Sequence, residues 1–172
     1  FIHSLPSKYG IETFAFSDGN MTSGAYAIAN ACQKIYITPT TKLGSIAAIS
    51  ALIDLTEQDK QNGVKYTIIR SLDEKAVYNP HEKLTDEVLT KMKDSLNKTS
   101  DAFLSTMAKY RPTLSVEKIK SFKGATFFGE EGLSNGLADM MVSSFDEVID
   151  IACKPKKSRG KLMATNTLEE LN

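Results

Sequence analysis

Ser23-Gly24 stands where a turn-rich stretch, Ser17-Asp18-Gly19-Asn20, gives way to a run of small residues, Ala25 to Cys32, that suits a helix. The preceding run, Ile11 to Phe16, alternates and is bounded by Gly10 and Ser17, which predicts a strand. Strand, tight turn, serine and helix in that order present a hydroxyl at a helix N-terminus. Unpaired N–H groups and the positive end of the helix dipole there favour negative charge developing on an attacked carbonyl. Gly24 leaves its backbone open to close approach by a substrate. Serine is also a preferred N-cap, which is the more ordinary reading of such a position.

A serine hydroxyl becomes a good nucleophile only when a base takes its proton. A lysine amine can be that base when desolvation lowers its pKa toward working pH. Lys75 is the candidate: it follows the apolar run Val64 to Ile69 in the segment Arg70-Ser71-Leu72-Asp73-Glu74-Lys75, and this chemistry requires it to be buried in the active state. Beside Asp73 and Glu74, the ordinary reading is a solvated loop charge. Ser45, after Gly44, is a third hydroxyl of interest; on its own it reads as the start of a strand through Ile46, Ala47, Ala48 and Ile49.

Three blocks, Met21-Thr22-Ser23-Gly24-Ala25-Tyr26, Lys34-Ile35-Tyr36-Ile37-Thr38-Pro39 and Leu43-Gly44-Ser45-Ile46, resemble the serine region of the S49 peptidases, the signal-peptide-peptidase-like family. Lys75 falls where that family carries its lysine. The resemblance runs from Ile11 to about Ile151 and implies a ClpP/crotonase-like layered α/β fold. It also implies a catalytic dyad of Ser23 and Lys75, with the Ser45 hydroxyl holding the lysine amine toward the nucleophile and the Gly24 N–H as one oxyanion donor. Ala25 stands where the family often has a second glycine, which bears on the width of the pocket.

Asn79-Pro80, the long helix from Leu84, and Gly136-Leu137-Ala138-Asp139 ahead of Phe145-Asp146-Glu147-Val148-Ile149 resemble the capsid-assembly proteases of tailed phages within that family. That likeness implies a serine endopeptidase acting on scaffold and capsid proteins inside a procapsid in the host cytoplasm. It further implies a ring-like homo-oligomer in which one site can take its serine and lysine from adjacent subunits. Three other readings remain: a membrane-anchored bacterial signal peptide peptidase, a non-catalytic structural module of the capsid assembly, and an acyl-CoA enzyme of the crotonase fold. For the last, no evident pair of acid/base carboxylates is present.

The elements that must position these residues alternate. Strands are expected at 11–16, 35–38, 45–53, 64–70, 125–128 and 140–142, and helices at 23–33, 115–121, 130–135 and 145–151. Phe1 to Tyr9 reads as the middle of a helix, so the sequence reads as a piece of a longer chain, the family's further strands and second oxyanion donor lying upstream. Over 84–111, Val88, Leu89, Met92, Leu96, Phe103, Met107 and Tyr110 recur at steps of three and four. The run opens with Thr85-Asp86-Glu87 and stops at Arg111-Pro112, the pattern of a long amphipathic helix with a core or subunit-interface stripe. Residues 1–153 thus read as the protease domain. After Cys153 the charged run Lys154 to Lys161 reads as a flexible tail reaching Asn172, with a scaffold segment as its alternative.

Composition bounds the rest. The 172 residues, 41% apolar and 24% charged, suit one globular domain, and 21 basic against 21 acidic residues leave no basic surface for nucleic acid. Cys32 and Cys153 share no C-x-x-C spacing and read as buried small hydrophobes of a reducing compartment. His3 and His81 are too few for a Ser-His-Asp triad or a histidine zinc site, and no phosphate-binding glycine motif occurs, so no metal or cofactor is expected.

Overall fold

The computed structural model describes residues 1–153; the tail proposed for 154–172 lies outside them. A short 3-10 turn (Ile2–Ser4) leads into α1 (Leu5–Tyr9), followed by β1 (Phe14–Ser17), β2 (Asn20–Thr22), α2 (Gly24–Asn30), β3 (Lys34–Ile37) and β4 (Lys42–Gly44). Then come α3 (Thr56–Gln61), α4 (Asp86–Tyr110), α5 (Val116–Ser121), β5 (Thr126–Phe128), α6 (Gly129–Ser134), β6 (Met140–Met141) and α7 (Phe145–Cys153). The fold is α/β.

The strands divide between two three-stranded sheets, ordered β1-β3-β6 and β2-β4-β5. The first is wholly parallel; in the second β2 and β4 are parallel and β5 runs antiparallel to β4. Consecutive strands separated by a sharp corner enter different sheets: β1 feeds β2 through Asp18-Gly19, and β3 feeds β4 through Thr38 to Thr41. The two corners are tied together. Buried Thr41 donates through Oγ1 to the Ser17 carbonyl at 2.6 Å, and Thr40 Oγ1 donates to the Asp18 carbonyl at 3.1 Å. Hydroxyls so tie the corner carbonyls, that of Ser17 also accepting the Thr38 N–H at 3.2 Å.

β3 is the centre of the first sheet, and its Ile35-Tyr36-Ile37 run is buried on both faces, as expected of a covered parallel strand. Ile35 and Ile37 join Tyr26, Leu43, Leu104, Met107, Leu114, Ile119 and Leu137 in the main core, while Tyr36 packs with Val142 and Val148 of the opposite layer. Arg111, buried at the end of α4, donates Nε–H to the Gly136 carbonyl at 2.8 Å and pairs through Nη2 with Asp139 at 2.7 Å. Asp139 in turn accepts from the Ile35 N–H at 2.8 Å. Helix, central strand and the loop before β6 are thereby fixed to one another.

α4 keeps the expected bounds within two residues, capped by Thr85 Oγ1, which accepts from the Val88 N–H at 3.3 Å. Of the expected stripe only Met107 is buried, with Leu104 buried outside it; Leu89 is exposed. Thr85→Ala is expected to cost about 1 kcal/mol, the usual worth of an N-cap, read as a lowered urea midpoint with an unchanged slope.

Several expectations are corrected. Asn20, read as the end of a turn, instead opens β2 with Met21 and Thr22, and the helix expected at 23–33 stops at Asn30 because Gln33 and Lys34 already bond to the Thr13 carbonyl, entering β3. The strand expected at 45–53 is absent: β4 ends at Gly44, and Gly44 (φ 108°) and Ser45 (φ 53°) turn the chain out of the sheet. No strand forms at 64–70 either; Val64 and Tyr66 are exposed and Ile69 is 91% exposed, so the apolar run has no sheet edge to join in the single chain. Helix α3, unexpected from the sequence, lies between these two segments. Cys32 is free but half-buried rather than buried, its thiol pushed up by desolvation; nothing is described of the Cys153 side chain.

Candidate active site

Ser23 is the residue after β2 and the N-cap of α2, with φ 51° and ψ −121°. Positive φ is unusual for a side chain other than glycine and costs about 1–3 kcal/mol, sustained only where the surroundings fix it. Here they do: the Ser23 N–H donates to the Gly44 carbonyl at 2.8 Å, and the Ser23 carbonyl accepts from the Ala27 N–H at 3.0 Å. The side chain makes no capping hydrogen bond. The ordinary reading of this serine as an N-cap is therefore not what its hydroxyl does. A strained strand-to-helix turn with an uncommitted Oγ is the geometry by which α/β-hydrolases present a nucleophile.

Gly24 is exposed, and a Cβ placed on it would meet nothing within 4 Å. Its φ is not positive, so neither packing within the chain nor backbone conformation demands glycine there.

Ser45 is brought to Ser23 by register. Thr22 and Gly44 are Cα partners in the parallel β2–β4 pair, so the residues that follow them, Ser23 and Ser45, leave adjacent strands side by side. Both have left-handed φ, and Ser45 is held by its N–H to the Ala125 carbonyl at 2.8 Å. Two hydroxyl-bearing residues thus stand together at the carboxyl ends of neighbouring strands, the nucleus of the candidate site.

Lys75 is not joined to them. It lies in the turn-rich segment after residue 70, is exposed, and its side chain has no hydrogen-bond or ion-pair partner among the described residues. The burial expected of an active base is absent in the single chain. Glu74 does not pair with Lys75: it takes Lys91 Nζ of α4 at 2.6 Å, and Lys91 also reaches Glu87 at 3.0 Å. Those two carboxylates, Glu74 first, raise the Lys91 amine above the ordinary lysine range.

The sequence reading passed over the residues that hold this segment. Arg70 donates Nε–H to the Lys75 carbonyl at 2.6 Å and Nη2–H to the Ala76 carbonyl at 3.2 Å, and its guanidinium pairs bidentately with Glu82, the Nη1–Oε1 contact being 3.0 Å. Asn79 Nδ2 adds bonds to Glu82 at 2.6 Å and to the Ala76 carbonyl at 2.9 Å. A signal existed in the arginine five positions before the lysine and the acid seven after it, but charges in a polar loop carry no periodicity to mark them as partners.

Hydrogen bonding from Arg70, then from Asn79, holds the Glu82 carboxyl below its ordinary value of 4.5. A group depressed in the folded state contributes fully above its unfolded value and loses that contribution as pH falls through the folded one. Amide exchange at residues 70–82, corrected for intrinsic rates, is therefore expected to match neutral conditions at pH 5 and to accelerate only below the ordinary glutamate value of 4.5. Exchange that stays slow to pH 2 would show that the clamp does not need the carboxylate.

Among the described residues no helix is long and apolar enough to cross a membrane. The sequence pattern of Peptidase family S49 matches residues 7–159. The chain is 29% identical over 135 residues to the head-tail preconnector protein GP5 of Enterobacteria phage P21, covering 78% of this chain and 27% of that protein. It is 29% identical over 145 residues to the capsid assembly protease C of Escherichia phage lambda, covering 83% and 33% respectively. With the "Probable protease SohB" of Buchnera aphidicola it shares 26% over 140 residues, 81% of this chain and 41% of that one. The chain thus spans well under half the length of these relatives, and the family match takes in β2, α2 and β4 with the paired serines as well as the Arg70–Glu82 segment. The chain belongs to peptidase family S49.

Proposed function

We propose that this chain is the catalytic part of a serine endopeptidase that processes scaffold and capsid proteins as a phage procapsid matures in the host cytoplasm. The observation that carries the reading is the strained, uncapped Ser23 beside Ser45 at the ends of paired strands in an S49 chain. The likeness to a phage capsid assembly protease supports the substrate class.

Ser23 Oγ attacks the scissile carbonyl carbon while its proton passes to Lys75 Nζ. The oxyanion so formed accepts from the Gly24 N–H, and the C–N bond breaks as the ammonium returns its proton to the departing amine. The neutral amine then takes a proton from water, whose oxygen attacks the acyl ester; the ester C–O bond breaks as the ammonium returns that proton to Ser23 Oγ, releasing the acid and restoring both groups. Ser45 directs the lysine amine toward Ser23. The exposure of Lys75 in the single chain supports a dyad completed across subunits of a ring, where the serine of a neighbour meets the lysine and the interface desolvates it.

The test is labelling of the full-length assembled protein by a fluorophosphonate. One adduct per chain, mapped to Ser23 and absent from Ser23→Ala, is expected; no adduct, or one on another residue, overturns the reading. The exposure of Lys75 favours one alternative, a structural module of the capsid assembly that retains the fold without using the dyad. An unlabelled but normally assembled protein would establish it.

A further inference from the structure

We propose that Arg70 is a positioning residue for Lys75, its guanidinium gripping the Lys75 and Ala76 carbonyls while Glu82 and Asn79 lock it in place. The inference rests on the Ser23/Lys75 reading above. Its own ground is the direction of the grip: the Nε–H bond of 2.6 Å ends on the carbonyl of residue 75 itself, so the peptide plane next to the lysine Cα is set by the arginine. The next residue, Ala76, has φ 59°, a left-handed conformation that a residue with a side chain keeps only under external constraint. Its carbonyl receives two such constraints, from Arg70 Nη2 at 3.2 Å and Asn79 Nδ2 at 2.9 Å.

The network is more than a surface ion pair. The Arg70 side chain is only 19% exposed, and three of its nitrogens are engaged at once. Bidentate pairing to Glu82 orients the planar fork so that the remaining donors face the two carbonyls, an arrangement a lysine could not reproduce with a single rotatable ammonium. None of Arg70, Asn79 or Glu82 belongs to either core cluster, so the network orders a loop whose other notable content is Lys75. Glu74 is drawn off to Lys91 on α4, which keeps the neighbouring acid from pairing with the lysine. An exposed loop held this firmly before any partner arrives presents its lysine in one orientation, and removes the ordering cost at the moment of assembly.

The experiment uses the full-length assembled protein and follows both peptide cleavage and fluorophosphonate labelling of Ser23 across pH. The variants are Arg70→Ala, Arg70→Lys, Glu82→Gln and Lys75→Ala. Arg70→Ala is expected to lower kcat about 100-fold with KM little changed, the scale of loss from an ångström of misplacement. The acid-side half-maximal pH of labelling should move upward, because a wandering lysine is better solvated. Arg70→Lys should fail to rescue, and Glu82→Gln, which keeps an acceptor without the charge, should fall between. Arg70→Ala with wild-type kcat and pH profile beside a dead Lys75→Ala overturns the positioning role and leaves the dyad standing. A uniform loss at every pH with a lowered melting temperature, in both Arg70→Ala and the milder Glu82→Gln, overturns it in favour of a purely structural clamp. Full activity in Lys75→Ala would instead remove the dyad on which it rests.

Discussion

Ser23→Ala is expected to lower cleavage of scaffold or capsid substrate by about 10⁴-fold or more while leaving folding and assembly unchanged, because a nucleophile has no substitute in the covalent route. The side chain makes no capping bond, so its loss removes nothing that α2 relies on; alanine also relieves none of the positive φ, so stability should stay within about 0.5 kcal/mol. Lys75→Ala should match it in activity, since the two act as a unit and their losses do not add. Mixing the two variants sharpens the result. Where serine and lysine come from different subunits, a random mixture rebuilds about a quarter of the sites through its heterologous contacts. Recovery of cleavage on mixing two inactive proteins would place the dyad across subunits, whereas a mixture as dead as its components would confine it within one. Retained cleavage in Ser23→Ala alone would end the serine-protease reading.

The parts of this architecture readable in the sequence are those where local signals agree with tertiary demand. The end of α4 at Arg111-Pro112, the cap at Thr85, the closing αL glycine at Gly136 and the last strand and helix all follow from local stereochemistry. The misreadings cluster where a short apolar run had to choose between strand and coil. Ile46 to Ile53 and Val64 to Ile69 have strand composition, but a strand also needs an edge, and whether one is free depends on distant residues and on other subunits. β2 was hidden for the opposite reason: Asn20-Met21-Thr22 sits in turn-like company, and its pairing with Lys42-Leu43-Gly44 is a nonlocal fact. Of the candidate site, Ser23 could be found from the turn-serine-glycine-helix order, whereas Ser45 stood out only through the family resemblance and by itself reads as the start of a strand. That they are side by side could not, since it rests on the β2–β4 register. The Arg70–Glu82 clamp was illegible because hydrogen bonds to loop carbonyls leave no trace in residue type.

Gly44→Ala should do the most damage to the fold of any small substitution near the site. A Cβ there would lie 2.5 Å from the Ala125 carbonyl oxygen, and the residue sits at φ 108°. Neither problem can be relieved by a side-chain rotation. The obstacle is backbone belonging to the strand junction that also accepts the Ser45 N–H at 2.8 Å, so β5 must withdraw from β4 or β4 must change its dihedrals. Strain of about 1–3 kcal/mol for the left-handed residue and about 1–3 kcal/mol for displaced packing sum to roughly 4 kcal/mol. At about 2–4 °C per kcal/mol for a chain of this size, the melting temperature should fall by about 8–16 °C. The functional loss should exceed the stability loss, because Gly44 is the hinge of both hydroxyls: its carbonyl holds the Ser23 N–H and its own backbone aims Ser45. Gly24→Ala is the matched control, with open space around the new methyl and an ordinary φ, and should melt as the wild type does. If Gly44→Ala melts like Gly24→Ala and labels at Ser23 at the same rate, the paired left-handed residues at the ends of β2 and β4 do not build the nucleophile's geometry.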